Sequence, residues 1–216
     1  MNNYSSLISI EEVSQIFKIF EGFQKNCIFL VGGCIRDSIL QKDVTDIDFA
    51  TSLNPDETTN LLDQNNIQFV DVGKKYGTVT AIINQKKYEI TSFRKDISTD
   101  GRHATVTFTN NMKEDAQRRD FTFNALYVDS DGAIFDFYNG QEDLRIGNVN
   151  FIGEPNERIK EDYLRILRYF RFFALFENSD IDPDLQKVFT ANHAHLSRIS
   201  NERKWFEFKE ILKLKT

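Results

Sequence analysis

The feature that most constrains this chain is an apolar run, Ile28-Phe29-Leu30-Val31, that leads directly into Gly32-Gly33. The run predicts a buried strand, and a helical segment from about Cys34 to Leu40 follows the glycines. A strand, a glycine turn and a helix start leave backbone N–H groups free to bind phosphate. In isolation, a Gly-Gly pair at a strand end more often marks only a tight turn. The feature therefore favours a phosphate site only if other residues support it.

Two aspartates spaced by one residue, Asp46-Ile47-Asp48, follow in a segment predicted to be a strand over 46–50. Side chains alternate faces along a strand, so both carboxylates are expected on one face. Carboxylate pairs hold hard divalent cations, and two magnesium ions about 3.5–4 Å apart can activate a hydroxyl and neutralise leaving pyrophosphate. An Asp-x-Asp alone is more often a polar strand edge or turn. Together with the glycine turn, the pair makes nucleotide transfer the leading reaction class.

Composition limits the class of protein. The chain has 216 residues, 40% of them hydrophobic, including 20 Phe, which suffices for one good-sized domain or two small ones. A net charge of −6 argues against a generic nucleic-acid binder. No apolar stretch approaches the roughly 20 residues of a membrane span, so a cytoplasmic protein without membrane contact is predicted. Cys27 and Cys34 lack metal-type spacing and are expected to be core thiols.

The periodicity of the chain predicts an α+β fold, in which a small mixed sheet with flanking helices precedes an all-helical segment. Ser9 and Glu12 form a capping-box pattern before an apolar stripe that reaches Phe23. Further predicted strands cover 67–72, 77–83, 87–93, 105–108, 125–129 and 133–137. Further predicted helices cover 54–66, 113–123, 157–177, 183–195 and 201–214. The polar segment 94–103 is predicted to be a mobile loop, and a domain boundary is placed near residue 140.

Four more clusters complete a recognisable set: 88–94, with sequence YEITSFR, 118–126, with RRDFTFNAL, 136–144, with DFYNGQEDL, and 161–165, with EDYLR. In this order and spacing, the set resembles the class II tRNA nucleotidyltransferases and the bacterial poly(A) polymerases. The resemblance covers about Ile28 to Leu212. It implies a nucleotidyltransferase head over 1–140 and a helical neck that recognises the base over 141–216.

The resemblance also implies site residues and a cofactor. Asp46 and Asp48 match the metal-binding, catalytic pair of the family, which implies Mg²⁺, and Glu89 matches an acidic position on a neighbouring strand. The glycine turn matches the triphosphate segment, and 118–124 matches the segment that selects ribose and grips phosphate. The implied nucleotide-binding residues are Gly32, Gly33, Arg36, Asp37, Arg118, Arg119, Asp120, Asn124, Glu161, Asp162, Arg165 and Arg168.

Three residues, Glu161, Asp162 and Arg165, match the amino-acid template with which the family recognises the incoming base. Asp supplies only acceptors and Arg only donors, so neighbours three apart on a helix offer complementary edges to cytosine or adenine. Glu161 lies four residues before Arg165 and is expected to hold its guanidinium. Without the upstream motifs, this pattern would indicate only a surface salt bridge.

The function implied is the addition of CMP and AMP, from CTP and ATP, to the 3′ end of tRNA or another RNA. The 94–103 loop favours CCA over CC addition. Poly(A) or A-only addition by the same site stays open, as does an idle nucleotide-binding module. Family members usually continue for more than a hundred residues, so a second chain supplying the tRNA-binding half is also expected as an alternative. Exposed Phe172, Phe173 or Phe176 would indicate such a partner surface.

Overall fold

The computed structural model describes residues 4–99, 104–176 and 180–213. The strands are β1 Ile28–Val31, β2 Asp48–Thr51, β3 Gln68–Val70, β4 Thr78–Ile83, β5 Lys86–Ser92, β6 Arg94–Thr99, β7 Ala104–Phe108, β8 Leu126–Val128 and β9 Ile134–Asp136. The helices are α1 Ser5–Ile8, α2 Glu11–Phe23, α3 Gly33–Ile39, α4 Pro55–Gln64, α5 Met112–Gln117, α6 Gly140–Ile146, α7 Pro155–Glu161, α8 Leu164–Phe173, α9 Pro183–Asn192 and α10 Asn201–Lys213. Short 3₁₀ helices cover Lys74–Tyr76, Thr122–Asn124 and His193–Arg198.

Seven strands form one mixed sheet in the order β3-β4-β5-β2-β1-β8-β9. Only β2 and β5 pair in parallel, and the other neighbours are antiparallel. The strands β6 and β7 form a separate two-stranded sheet. Because α7 to α10 follow the last strand, the predicted α+β class with a mixed sheet and a helical second part is confirmed.

The core forms where the apolar stripe of α2 meets the sheet. Val13, Ile16 and Phe20 are fully buried, and the ring of Phe17 lies edge-on to Phe49 of β2. Every residue of β1 is buried, as its continuous apolar run predicts for a central strand. Burial of these side chains fixes β1 and β2 at the centre of the sheet, where the glycine turn and the aspartates lie.

Aromatic side chains join the sheet to the helices that follow it. The Phe172 ring of α8 lies 5.4 Å from Phe121 and 5.3 Å from Phe123, measured between ring centroids. Tyr169 stacks on Phe151 at 6.0 Å. Phe172, expected to be exposed if a partner surface were missing, is therefore buried, and Phe173 and Phe176 are half-buried. The exposed large apolar residues of the helical part lie mainly on α10.

Two predictions, the capping box before α2 and the loop over 94–103, are wrong in detail. Ser9 and Glu12 do not form a capping box, because the Ser9 hydroxyl donates to the Ser5 carbonyl and Glu12 pairs with Lys86 at 2.9 Å. The segment predicted as a loop over 94–103 begins with β6, whose backbone pairs with β7. Cross-strand hydrogen bonds form here without any apolar alternation, so periodicity could not reveal the strand. Residues 100–103 of the predicted loop lie outside the described residues.

The predicted helices over 113–123 and 157–177 are each shorter or broken. After α5, Phe121 is extended and bridges to Phe151, so the chain there pairs with a distant segment instead of continuing the helix. The second helix breaks at Asp162, whose backbone is extended and whose carboxylate accepts the Leu164 N–H at the start of α8. The first helix ends just before Arg118, and the second breaks at Asp162, and both are residues implied by the sequence.

Cys27 and Cys34 are buried free thiols, as expected, and burial raises the pKa of each to about 12. Among the helices in the described part of the chain, none is both long and apolar enough to cross a bilayer.

Candidate active-site cleft

A cleft of about 830 Å³ opens between the sheet and the two helices α8 and α10. Its lining brings together the turn after β1, the residues that precede and begin β2, the 119–124 turn, and one side of each helix. Of the residues implied by the sequence, those in the lining are Gly32, Gly33, Arg36, Asp37, Asp46, Asp48, Arg119, Asp120, Asn124 and Arg168. Folding therefore gathers ten positions that span 137 residues of sequence around one space.

The first position of the glycine turn favours glycine because of its backbone conformation. Gly32 has φ +75°, and a Cβ there would lie 3.4 Å from Nη1 of Arg119. Gly33 begins α3, which presents Arg36 toward the cleft. The Arg36 guanidinium donates to both carboxylate oxygens of Asp37, at 2.9 and 2.7 Å, and to Oδ1 of Asn124 at 2.7 Å. These bonds hold the Arg36 guanidinium beside the turn in a single orientation.

The aspartate pair lines the cleft, but strand alternation does not explain this. β2 begins at Asp48, so Asp46 precedes the strand, and the prediction of a strand over 46–50 is wrong at its start. The Thr45 hydroxyl donates to Oδ2 of Asp46 at 3.0 Å. Glu89 lies outside the lining but pairs in register with Asp48 across the parallel β2–β5 ladder. Two of the three carboxylates, Asp48 and Glu89, thus lie on adjacent strands, and Asp46 lies just before the first of them.

Negative charge accumulates at Asp48. Burial raises the pKa of its carboxyl to about 6, with further contributions from Glu89 and Asp46 and opposition from Arg119. A divalent cation would relieve this repulsion, and carboxylate oxygens are the ligands that Mg²⁺ prefers, so the donor set fits magnesium. Within the described ranges, no three His, Cys, Asp or Glu residues converge on one cation position. Such an ion would therefore take further oxygens from substrate or water, as Mg²⁺ commonly does.

A buried carboxylate that the sequence reasoning missed holds the arginine run in place. Asp115, 1% exposed, pairs with Arg118 at 2.8 Å and with Arg119 at 3.1 Å, and accepts the Tyr127 hydroxyl at 2.6 Å. Burial would raise the pKa of Asp115, but Arg119 and Arg118 outweigh burial and hold it at about 2. The signal was present, because Asp115 lies three and four residues before the two arginines. Arg118 itself lies outside the cleft lining.

Asp120 connects the sheet side of the cleft to both helices. It accepts the Asn124 amide at 2.9 Å and Nε of Arg168 at 2.6 Å. Burial opposes ionisation, but Arg168 and Asn124 keep the pKa of Asp120 far below its usual value. Arg168 also pairs with Glu207 of α10 at 3.4 Å, and Arg171 pairs with the same buried carboxylate at 3.0 Å. Glu207 is a second residue that is not among the site residues implied by the sequence.

The three proposed template residues lie outside the cleft lining. Nη1 of Arg165 lies 2.7 Å from Glu161, as predicted, but also donates to the Arg158 carbonyl at 2.8 Å. Asp162 pairs with Arg203 of α10 at 2.6 Å. Because the helix breaks at Asp162, the expectation that Asp162 and Arg165 are neighbours on one helix is wrong. The two side chains instead hold α7, α8 and α10 together.

The chain is similar to known proteins in both sequence and structure. The family model described as the poly A polymerase head domain matches residues 28–150. The human mitochondrial CCA tRNA nucleotidyltransferase 1 is 42% identical over 186 residues, which are 85% of this chain. The crystal structure of the Bacillus stearothermophilus CCA-adding enzyme with CTP superposes on 98% of this chain with a TM-score of 0.81 and 31% identity. The crystal structure of a tRNA nucleotidyltransferase complexed with a primer tRNA and an incoming ATP analog superposes on 90% of this chain, with a TM-score of 0.68 and 25% identity.

The match covers only part of each relative. The chain spans 43% of the human protein, 49% of the Bacillus stearothermophilus structure and 58% of the structure with primer tRNA. The similarity therefore concerns the part of those proteins that corresponds to the sheet, the cleft and the helices described above.

Proposed function

Because the chain belongs to the class II CCA-adding enzyme family, we propose that it transfers CMP and AMP from CTP and ATP to the 3′ end of tRNA. The observation that carries the proposal is the cleft, which gathers the glycine turn, the aspartate pair and Arg119. The primer's terminal hydroxyl attacks the α-phosphate, and pyrophosphate leaves. Solved relatives bound to CTP, or to primer tRNA and an ATP analog, support these substrates.

The catalytic step is assigned to the carboxylates. Mg²⁺, when held by Asp46 and Asp48 with substrate oxygens, would activate the attacking hydroxyl and neutralise charge on the leaving group. Glu89 faces Asp48 from the next strand and raises its pKa, and its charge strengthens cation binding at the pair. The observed excess of negative charge is what a cation site requires before its ion binds.

Triphosphate binding is assigned to the glycine turn and to the two arginines beside it, Arg36 and Arg119. Arg36 is preoriented by Asp37 and Asn124, and its planar fork can bond phosphate oxygens in pairs. Arg119 is likewise held by Asp115. Gly32 and Gly33 lie beside these two guanidiniums. Fixed cations lower the cost of gathering a charged triphosphate beside acidic metal ligands.

Ribose recognition can use side chains as they now lie, whereas base recognition requires two side chains to exchange their present partners. Asp120 and Asn124 already bond each other, and they present an acceptor and an amide near the cleft for ribose hydroxyls. To read a base, Arg165 exchanges its contacts with the Arg118 and Arg158 carbonyls for the base, while Glu161 continues to hold it. Asp162 must likewise exchange Arg203 for the base. We assign the head to 1–140 and the neck, which carries these template residues, to 141–216.

The test is incubation of the chain with Mg²⁺, each labelled nucleotide in turn and a tRNA that lacks its 3′ CCA, resolved to single nucleotides. We expect the addition of two C residues and one A residue to the tRNA. Addition of A alone, or of many A residues, would instead support A-addition, which the name of the matching family model also suggests. Binding of CTP and ATP without any addition would support a nucleotide-binding module that needs a second chain.

Two variants test the assignment of residues. Asp46→Ala should reduce magnesium-dependent incorporation at least about a hundredfold, because one of the two carboxylates that hold the cation is lost. The exposed Asp184, which pairs with Lys187, supplies the control Asp184→Ala, which should keep wild-type activity. Arg165→Ala should weaken the preference for CTP and ATP over UTP and GTP. Unchanged incorporation in the first variant, or unchanged preference in the last, contradicts the respective assignment.

A further inference from the structure

One side of α10 faces the cleft and does not take part in the sites assigned above. Phe206, Glu210 and Lys213 all line the cleft, and their spacing of four and three residues places them on one face of the helix. Phe206 is 54% exposed although it lies against the cleft. Glu210 and Lys213 pair with each other at 2.6 Å. This face therefore presents an open aromatic ring followed by a bonded ion pair.

The neighbouring part of α8 adds positive charge and apolar surface. Arg171 and Phe172 of α8 line the same cleft, as does Leu175, which lies two residues beyond the end of that helix. The guanidiniums of Arg36, Arg168 and Arg171 lie over the Phe172 ring, at 4.8, 5.6 and 4.4 Å from its centroid. Arg171 is further constrained by Glu207. We refer to Arg171, Leu175, Phe206 and Lys213 as the α10 wall.

Triphosphate and metal binding do not account for the exposed ring of Phe206 in the α10 wall. Those groups need carboxylates, guanidiniums and backbone N–H groups, whereas an open Phe ring has no polar atom to offer. A nucleobase is the part of the substrates with an apolar face, and single-stranded nucleic acids are commonly bound by aromatic stacking beside cations. The base of the incoming nucleotide is already assigned to Asp162 and Arg165, which lie outside the cleft lining.

We propose that the α10 wall binds the 3′-terminal nucleotide of the acceptor RNA, with its base stacked on Phe206 and its phosphate near Arg171 and Lys213. The inference rests on the proposed function and names the subsite for its second substrate. The aspartate pair lines the same cleft, so an RNA end held on the α10 wall would lie in the space that contains the proposed reaction centre.

The same helix supplies a matched control. Trp205 is 58% exposed and adjoins Phe206 in sequence, yet it lies outside the cleft lining. Phe206→Ala should raise the KM for a CCA-less RNA minihelix about tenfold, since one stacked base is lost, and leave the KM for CTP within twofold. Phe206→Tyr should restore the KM for RNA, and Trp205→Ala should resemble the wild type throughout. Equal KM values for RNA in Phe206→Ala and the wild type would overturn the subsite.

A binding measurement keeps the test independent of turnover. Trp205 is the single tryptophan of the chain, so the double variant Trp205→Phe/Phe206→Trp moves the fluorophore into the cleft. The minihelix should quench its fluorescence, the same RNA with an abasic 3′ end should quench it much less, and CTP alone should leave it unchanged. Equal quenching by both RNAs, or quenching by CTP alone, overturns the subsite. If the wild type extends no RNA but the quenching pattern holds, the subsite stands and the proposed reaction fails.

Discussion

At the scale of single residues, the cleft depends on buried charges that hold other charges in place. Asp115 fixes Arg118 and Arg119, Asp120 fixes Arg168, and Asp37 fixes Arg36. Each carboxylate is followed or faced by the arginine that it orients, and the two groups compensate each other's loss of hydration. Asp48 differs, because its nearest charged neighbours include two further carboxylates.

Asp115→Asn should destabilise the fold by about 3 kcal/mol and reduce turnover, because Arg118 and Arg119 would remain buried without their counter-charge. The low pKa of Asp115 means that its stabilisation is complete above about pH 4 and is lost as the pH falls toward 2. Urea unfolding at pH 7 and at pH 3 measures both effects. A variant equal in stability to the wild type at pH 7 would contradict the role of Asp115.

Asp48→Asn should abolish transfer but stabilise the metal-free protein. The raised pKa means that the neutral form of Asp48 is favoured in the fold, so ionisation costs stability, and this cost grows as the pH rises from about 4 to about 6. The variant avoids this cost, and we expect a gain of about 1–3 kcal/mol at pH 7.5 and almost none at pH 4. Unfolding in EDTA at the two pH values checks this, and an equal change at both would refute the cause.

At the scale of elements, short connections decide where the site residues lie. The turn between β1 and α3 carries Gly32, the break between α7 and α8 carries Asp162, and the turn after α5 carries Asp120. None of these residues lies inside a regular helix or strand. The regular elements provide the buried framework, and their ends present the polar groups.

Gly32→Ala should destabilise the protein by about 1–2 kcal/mol and raise the KM for CTP, since φ +75° disfavours a Cβ and Arg119 lies close by. Gly22 provides the control, because it lies in α2 with open space around it. Gly22→Ala should stabilise the protein by about 0.5–1 kcal/mol and leave the KM for CTP unchanged. Thermal unfolding and initial rates measure both. If Gly32→Ala left both the stability and the KM for CTP unchanged, the assignment of the glycine turn to triphosphate binding would be contradicted.

At the scale of the whole molecule, substrate binding should tie the sheet to the helices, because the cleft takes its lining from both. CTP with Mg²⁺ at about a hundred times its Kd should stabilise the fold by about 2.7 kcal/mol. Asp46→Ala should lose the magnesium-dependent part of that gain and keep the remainder. Unfolding curves with CTP, with and without Mg²⁺, measure this, and a gain independent of magnesium would contradict the cation site.

The sequence by itself determined the approximate positions of the seven strands of the mixed sheet, the strand-glycine-helix unit, the family and ten residues of the cleft. Those features depend on local spacing and on the chemistry of nearby side chains. Cellular location stays a prediction, and the matching relatives include a mitochondrial protein.

Only the tertiary structure decided which partners the polar residues take. It paired β6 with β7, broke the helix at Asp162, buried Phe172 between sheet and helices, and placed Asp115 and Glu207 against arginines of the site. Local periodicity reports which face of an element is apolar. It carries no information about which distant backbone or charge will satisfy a polar group, and that choice is made only when the elements pack together.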